Sequence, residues 1–162
     1  MADMGDIERS ARRYRISGGP RTGKTSIEER LSGASWLPSP LLLLSHDAAA
    51  EILVVDALRG LDAAGHAALR EAVERRVPHL IVAVNKMDLA GYEYEAFKTV
   101  RAQVAEAADE ANWGGIAVVP VSARYGDNVV DRGSRIDWYP GRTLLELLRA
   151  AADRSAAAAV AR

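Results

Sequence analysis

Runs of apolar residues alternate with longer polar or amphipathic stretches along this chain, and the spacing predicts strands and helices in turn. Leu80 to Val84 is five apolar residues without a break. Its β-branched content and lack of alternation fit a strand buried on both faces, as in a parallel sheet. Glu51–Asp56 reads as a second strand, with Ile52 to Val55 apolar and an acid at its end. Ile116–Val121 is a third, and Tyr14–Ser17 a short fourth. Between them lie helical patterns. One starts near Lys24 and ends near Ser32-Gly33. A second, Leu61–Val77, carries Leu69, Val73 and Val77 on one stripe with Arg70, Glu71, Glu74 and Arg75 outward. Pro78 follows its end. A third, Tyr92–Glu110, turns Phe97, Val100 and Val104 inward, and a last begins at Thr143 with Leu144, Leu145 and Leu148 facing the sheet. Asn112 to Gly115 is a loop, Ala34–Pro40 is turn-rich, and Leu41–Leu44 is a buried strand or a helical turn. The sum is a three-layer α/β fold, a parallel sheet of four or five strands with helices on both faces.

The chemistry sits where strands end, which is where open α/β sheets bind ligands. After the first strand comes Gly18-Gly19-Pro20-Arg21-Thr22-Gly23-Lys24-Thr25, a full G-x-x-x-x-G-K-[ST] pattern. Gly18 and Gly23 let the backbone turn its N–H groups onto phosphate oxygens, Lys24 reaches the terminal phosphates, and the Thr25 hydroxyl is placed for Mg²⁺. A helix starting at Lys24 adds its positive end. The plainer alternative is a glycine-rich turn, and a strand before with a helix after favours phosphate binding. The third strand delivers Asn85-Lys86-Met87-Asp88, which resembles the guanine-reading motif of GTPases. A carboxylate at Asp88 accepts from the ring N–H and the exocyclic amino group of guanine, whereas adenine leaves it unpaired. The Asn85 amide bonds the base or ties neighbouring loops, and the Lys86 stem covers the ring. His46, His66 and His79 are scattered and read as structural or exposed.

Composition narrows this only a little. The 162 residues suit one domain with a real core; 49% are hydrophobic, 27% are charged, and the net charge is −1. That balance gives no reason to expect nucleic-acid binding. There are no cysteines, which excludes disulfides and thiolate metal sites and fits a reducing cytoplasm. No membrane span or signal peptide is expected; Leu41–Leu44 is too short to cross a bilayer.

From about Ala48 to Leu148 the text resembles one GTPase family, the large GTP-binding subunit of bacterial sulfate adenylyltransferase. The residues that carry this are Val121-Ser122-Ala123-Arg124-Tyr125-Gly126-Asp127-Asn128-Val129-Val130 and Trp138-Tyr139-Pro140-Gly141-Arg142-Thr143-Leu144-Leu145-Glu146. They are more similar to that family than to translation factors generally. The resemblance implies a P-loop NTPase-like fold, GTP or GDP with Mg²⁺ as ligands, and a base loop at Ser122 and Ala123 with a backbone N–H toward the guanine carbonyl. It implies a small catalytic subunit as partner, which joins sulfate to ATP to give adenylylsulfate and pyrophosphate, coupled to GTP hydrolysis. On that alignment Asp56 ends a central strand and is not a Walker B acid.

Three departures qualify the expectation. The segment between Thr25 and Glu51 is much shorter than in the family, and the missing text carries switch I and switch II. Asp62-Ala63-Ala64-Gly65 fits Asp-x-x-Gly formally but opens a helix after the wrong strand. The phosphate loop lacks the family's acids before Gly-Lys and looks more like that of an ATPase, and Pro20 removes one N–H. The barrel domains of the family are absent from this text. The expectation is a polar arm over 1–13, a reduced GTP-binding domain over 14–150 with weak or lost hydrolysis, and an alanine-rich tail over 151–162 that extends the last helix or frays. The competing readings are an interaction module that no longer binds nucleotide and a small P-loop ATPase or kinase. No catalytic residue is identified.

Overall fold

The structure, a computed structural model, describes residues 14–33 and 50–161. The expectations for Met1–Arg13, for the segment from Trp36 through Leu41–Leu44, and for His46 lie outside the described residues. In chain order the elements are β1 (Tyr14–Gly18), α1 (Lys24–Ser32), β2 (Ala50–Asp56), α2 (Ala63–Glu74), β3 (Leu80–Asn85), α3 (Tyr94–Glu110), β4 (Ala117–Pro120), a 3₁₀ turn (Ser134–Ile136) and α4 (Leu144–Val160). The strands form one four-stranded sheet in the order β1-β2-β3-β4, and every neighbouring pair is parallel. β2 and β3 are buried along their whole length, which is why both read as unbroken apolar runs.

Alternate side chains divide the core in two. Ile52, Val54, Ile81 and Ala83 meet Ile27 and Leu31 of α1 and Leu144, Leu145 and Leu148 of α4 on one face. Leu53, Val55, Val82 and Val84 meet Leu69 and Ala72 of α2 and Phe97, Val100 and Val104 of α3 on the other. The predicted inward positions of α3 and α4 are all buried. The helix over Leu61–Val77 is shorter than its stripe: Asp62 caps it by accepting from the Gly65 N–H, and Val77 is buried just beyond its end. The last helix runs to Val160 and opens on a reciprocal Thr143–Glu146 capping box.

The three connections all step the same way across the sheet, yet α1 packs on the face opposite α2 and α3. Right-handed crossovers, the rule in about 98% of cases, would place all three helices on one face. A direct β1–α1–β2 unit of this arrangement would be left-handed.

β2 carries two buried acids, Glu51 near its start and Asp56 at its end. Glu51 is 1% exposed; its carboxylate accepts from Ser17 Oγ at 2.7 Å and Arg75 Nη2 at 2.5 Å. Removing Arg75 leaves that carboxylate with a single neutral donor. Arg75→Ala is expected to cost about 2–3 kcal/mol of stability, and Glu51→Gln in the same background to recover part of it. Urea unfolding at pH 7 checks both.

Candidate functional site

The C-terminal ends of the four strands bring three loops together. The first is the phosphate loop. Its turn needs positive φ at Gly18 (137°), Arg21 (60°) and Gly23 (95°), and glycine takes two of the three positions. Thr22 is buried and its Oγ1 donates to the Gly19 carbonyl. Lys24 folds back over the loop, with Nζ 2.7 Å from the Gly18 carbonyl and 3.3 Å from that of Gly19. An ammonium has three donors, so one stays free for an anion. α1 begins without a side-chain cap, leaving first-turn N–H groups open. The Thr25 side chain is exposed.

The second loop follows β3. Asn85 is buried, its Nδ2 donates to the Thr22 carbonyl at 2.8 Å, and its Oδ1 accepts from the Ala123 N–H at 2.9 Å. The amide therefore ties loops together, one of the two roles its type allows. Lys86 sits at φ 65° and turns Nζ onto the Arg21 carbonyl and onto Asp56 Oδ2 at 3.0 Å. Asp88 is half-buried, and its Oδ1 accepts from Ser122 Oγ at 2.8 Å. One carboxylate oxygen is thus held by the protein, and the other has no protein donor among the described residues.

The third loop, after β4, is more tightly built than the Ser122-Ala123 dipeptide suggests. The Ser122 N–H donates to the Asp127 carbonyl and the Gly126 N–H to the Ser122 carbonyl. The Ala123 N–H is taken by Asn85. The next donor along, the Arg124 N–H, has no acceptor among the described residues. Arg30 of α1 reaches across to the carbonyls of Ala123 (2.9 Å) and Arg124 (2.6 Å). Asn128, at φ 59°, donates to the Pro120 carbonyl and accepts from the Gly133 N–H. Tyr92 OH donates to Asp127 Oδ2 at 2.9 Å and accepts from Arg135 Nη1 at 2.9 Å. Burial, then the Asp127 carboxylate, pushes the Tyr92 phenol above its ordinary range. Trp138 closes the back of this loop pair, donating from Nε1 to the Tyr92 carbonyl at 2.9 Å and packing on Phe97.

All the residues singled out at the ends of β1, β3 and β4 therefore lie at one end of the sheet, on its loops or on the strand and helix ends that border them: Gly18, Gly23, Lys24 and Thr25, then Asn85, Lys86 and Asp88, then Ser122 and Ala123. Four contributors are not evident from motif reading: Asp56, Arg30, Tyr92 and Asp127. Asp127 had a signal within Gly-Asp-Asn, and Asp56 one as the acid that closes an apolar strand, read there as a strand end only. Asp62 also stands closer than its helix suggests. A Cβ on Gly19 would meet Asp62 Oδ2 at 3.1 Å, so the start of α2 backs directly onto the phosphate loop. The described residues hold no group of three or more His, Cys, Asp or Glu side chains suited to a metal. Thr25 is a fitting but solitary ligand; a hard cation there would take most of its oxygens from phosphate and water.

A glycine-rich phosphate loop on β1, with an Asn-Lys-Met-Asp loop and a Ser-Ala loop beside it on a parallel sheet, defines a P-loop domain of the guanine-nucleotide class. Residues 45–154 match the family described as the elongation factor Tu GTP binding domain, and the chain belongs to that family. It is 46% identical over 72 residues to sulfate adenylyltransferase subunit 1 of Psychromonas ingrahamii, covering 44% of this chain and 15% of that protein. It is 39% identical over 101 residues to elongation factor 1-alpha of Thermococcus gammatolerans, covering 61% and 23%. The match thus spans less than a quarter of either relative's length and is not confined to the sulfate-activating proteins. Among solved structures, sup35 complexed with GDP superposes with a TM-score of 0.67 at 23% identity over 84% of this chain and 43% of that one. The Saccharomyces cerevisiae Ski7 GTPase-like domain bound to GTP gives 0.66 at 12% identity, over 95% and 52%. These two show the shared fold.

Asn85 is the joint of the site. Asn85→Ala leaves the Thr22 carbonyl and the Ala123 N–H unpaired in a buried place. The expected loss is about 2 kcal/mol or more, read as a lower urea midpoint without a change in m-value.

Proposed function

We propose that this chain is a guanine-nucleotide-binding domain. The observation that carries the reading is the convergence of Lys24 and Thr25 with Asp88 and Ser122 on loops that Asn85 ties together. In this reading the phosphate loop and the α1 N-terminus take the phosphates, Lys24 neutralises their charge, and Thr25 takes Mg²⁺. Asp88, with Oδ1 fixed by Ser122, accepts from the guanine edge through its open oxygen. The Lys86 stem lies against the ring, and a backbone N–H of the third loop meets the guanine carbonyl. The Ser122 and Ala123 N–H groups are already engaged within the loop, so Arg124 is the donor best placed by elimination.

Hydrolysis is weak or lost in this proposal. Phosphoryl transfer to water depends on positioning that water and stabilising charge around the γ-phosphate, and the sequence offers no recognisable switch I or switch II residue for either task. The short stretch of sequence between Thr25 and Glu51 supports a link shortened relative to the sulfate adenylyltransferase subunit. By the same resemblance the setting is cytoplasmic and the partner is the small catalytic subunit that makes adenylylsulfate from ATP and sulfate. No helix among the described residues is long and apolar enough to cross a membrane. An ATP-binding reading rests on Pro20 and Arg21 in the phosphate loop, and Asp88 opposes it, since adenine gives that carboxylate no donor.

Calorimetric titration with GDP, GTP and ATP, each with Mg²⁺, tests the proposal. The expected result is binding of both guanine nucleotides, none of ATP, and a loss of at least tenfold in Asp88→Asn, in keeping with the cost of a mismatched polar edge. Failure to bind any nucleotide would turn the search to protein partners. Single-turnover mixing with GTP and Mg²⁺ is expected to give little phosphate release; a rate equal to that of switch-bearing GTPases would refute the hydrolysis part alone.

A further inference from the structure

Asp56 ends β2 in register with Asn85 of β3 and is 6% exposed. Its two oxygens have separate tasks. Oδ1 accepts from the Leu58 N–H at 2.8 Å and the Arg59 N–H at 3.3 Å, closing the turn after the strand. Oδ2 takes no part in the turn and meets Lys86 Nζ at 3.0 Å. A turn cap needs only the first oxygen; the second faces the lysine of the Asn-Lys-Met-Asp loop. Burial alone would push this carboxyl up, but the Leu58 N–H, Lys86 and the Arg59 N–H together outweigh it and hold it below the ordinary carboxylate range.

Lys86 has a left-handed backbone and a long, rotamer-rich stem that would otherwise sample open solvent. Its ammonium is instead shared between the Arg21 carbonyl of the phosphate loop and the Asp56 carboxylate. The stem is thereby drawn across from the end of β3, over the end of β2, to the loop after β1. A flat side-chain surface held this way is preorganised, so less ordering remains when a ring is laid on it.

We propose that Asp56 is a positioning residue for the base-binding side of the site, acting through Lys86. The inference rests on the guanine-nucleotide reading above. Asp56→Asn keeps an amide oxygen to accept from Leu58 and Arg59 and removes the charge that holds Lys86. Lys86→Met keeps an apolar stem and removes the same tie from its other end, together with the bond to the Arg21 carbonyl, leaving the turn intact.

The experiment is calorimetric titration of GDP into the wild-type chain, both single variants and the double variant, with urea midpoints measured alongside. Each single change is expected to weaken GDP binding by about tenfold, and the double to be no weaker than either single, because contacting residues couple. Unchanged GDP affinity in Asp56→Asn, or losses that multiply in the double variant, would overturn the proposal and leave Asp56 a turn cap only. If Asp56→Asn does not fold, Lys86→Met still decides: full affinity there refutes the tie. A wild-type chain that fails to bind GDP would be a different result, overturning the guanine-nucleotide reading and this inference with it.

Discussion

The buried Asn85 amide is the contact on which the rest of the binding end depends. One side chain donates to the loop after β1 and accepts from the loop after β4, from a position at the end of β3. Neither of those loops touches the other through a regular ladder, because β1 and β4 are the two edges of the described sheet. Their separation is therefore set by a primary amide with one donor end and one acceptor end, which no other residue type of that size supplies. Gly23 answers to the same contact: a Cβ there would come within 2.2 Å of Asn85 Nδ2. Arg30 adds a second tie from α1 to the third loop, and Lys86 a second tie from β3 to the first.

Much of this was legible in the sequence because burial and chemistry point the same way there. Unbroken apolar runs marked β2 and β3, since both faces of each are covered. The stripes Phe97-Val100-Val104 and Leu144-Leu145-Leu148 marked the two helices that cover them. The Gly-Lys-Thr and Asn-Lys-Met-Asp patterns marked two of the three loops. Leu61–Val77 was read too long because Leu61 and Val77 are buried by the turns that flank α2 rather than by the helix itself. The strand order and the side of the sheet taken by α1 had no local signal at all, because neither changes which residues are apolar.

The auxiliary residues were hidden for a different reason. Arg30 and Tyr92 each reach another element through one long side chain, and Asp56 is reached by the long side chain of Lys86; such contacts between distant positions have no period in the sequence. Asp56 was set aside as the end of a central strand, and it is that; its second oxygen nevertheless reaches the base-side lysine. Asp62 was set aside as the start of a helix, and it is that too, although the helix start lies against Gly19. A residue with a sufficient structural reason can still have an oxygen that its turn does not use, and only the geometry shows where that oxygen points.

Asn85 joins Thr22 to Ala123, two residues far apart in the chain, on the loops after the first and the fourth strand. The pocket consequently has no local existence: it comes into being when the first strand, the third strand and the loop after the fourth are all in place, late in any order of assembly that proceeds from the N-terminus. A molecule that settles there must draw on the integrity of both sheet edges at once. Occupancy then acts as a seal on the completed fold, and its free energy is added to the cooperative unit as a whole rather than to one part of it.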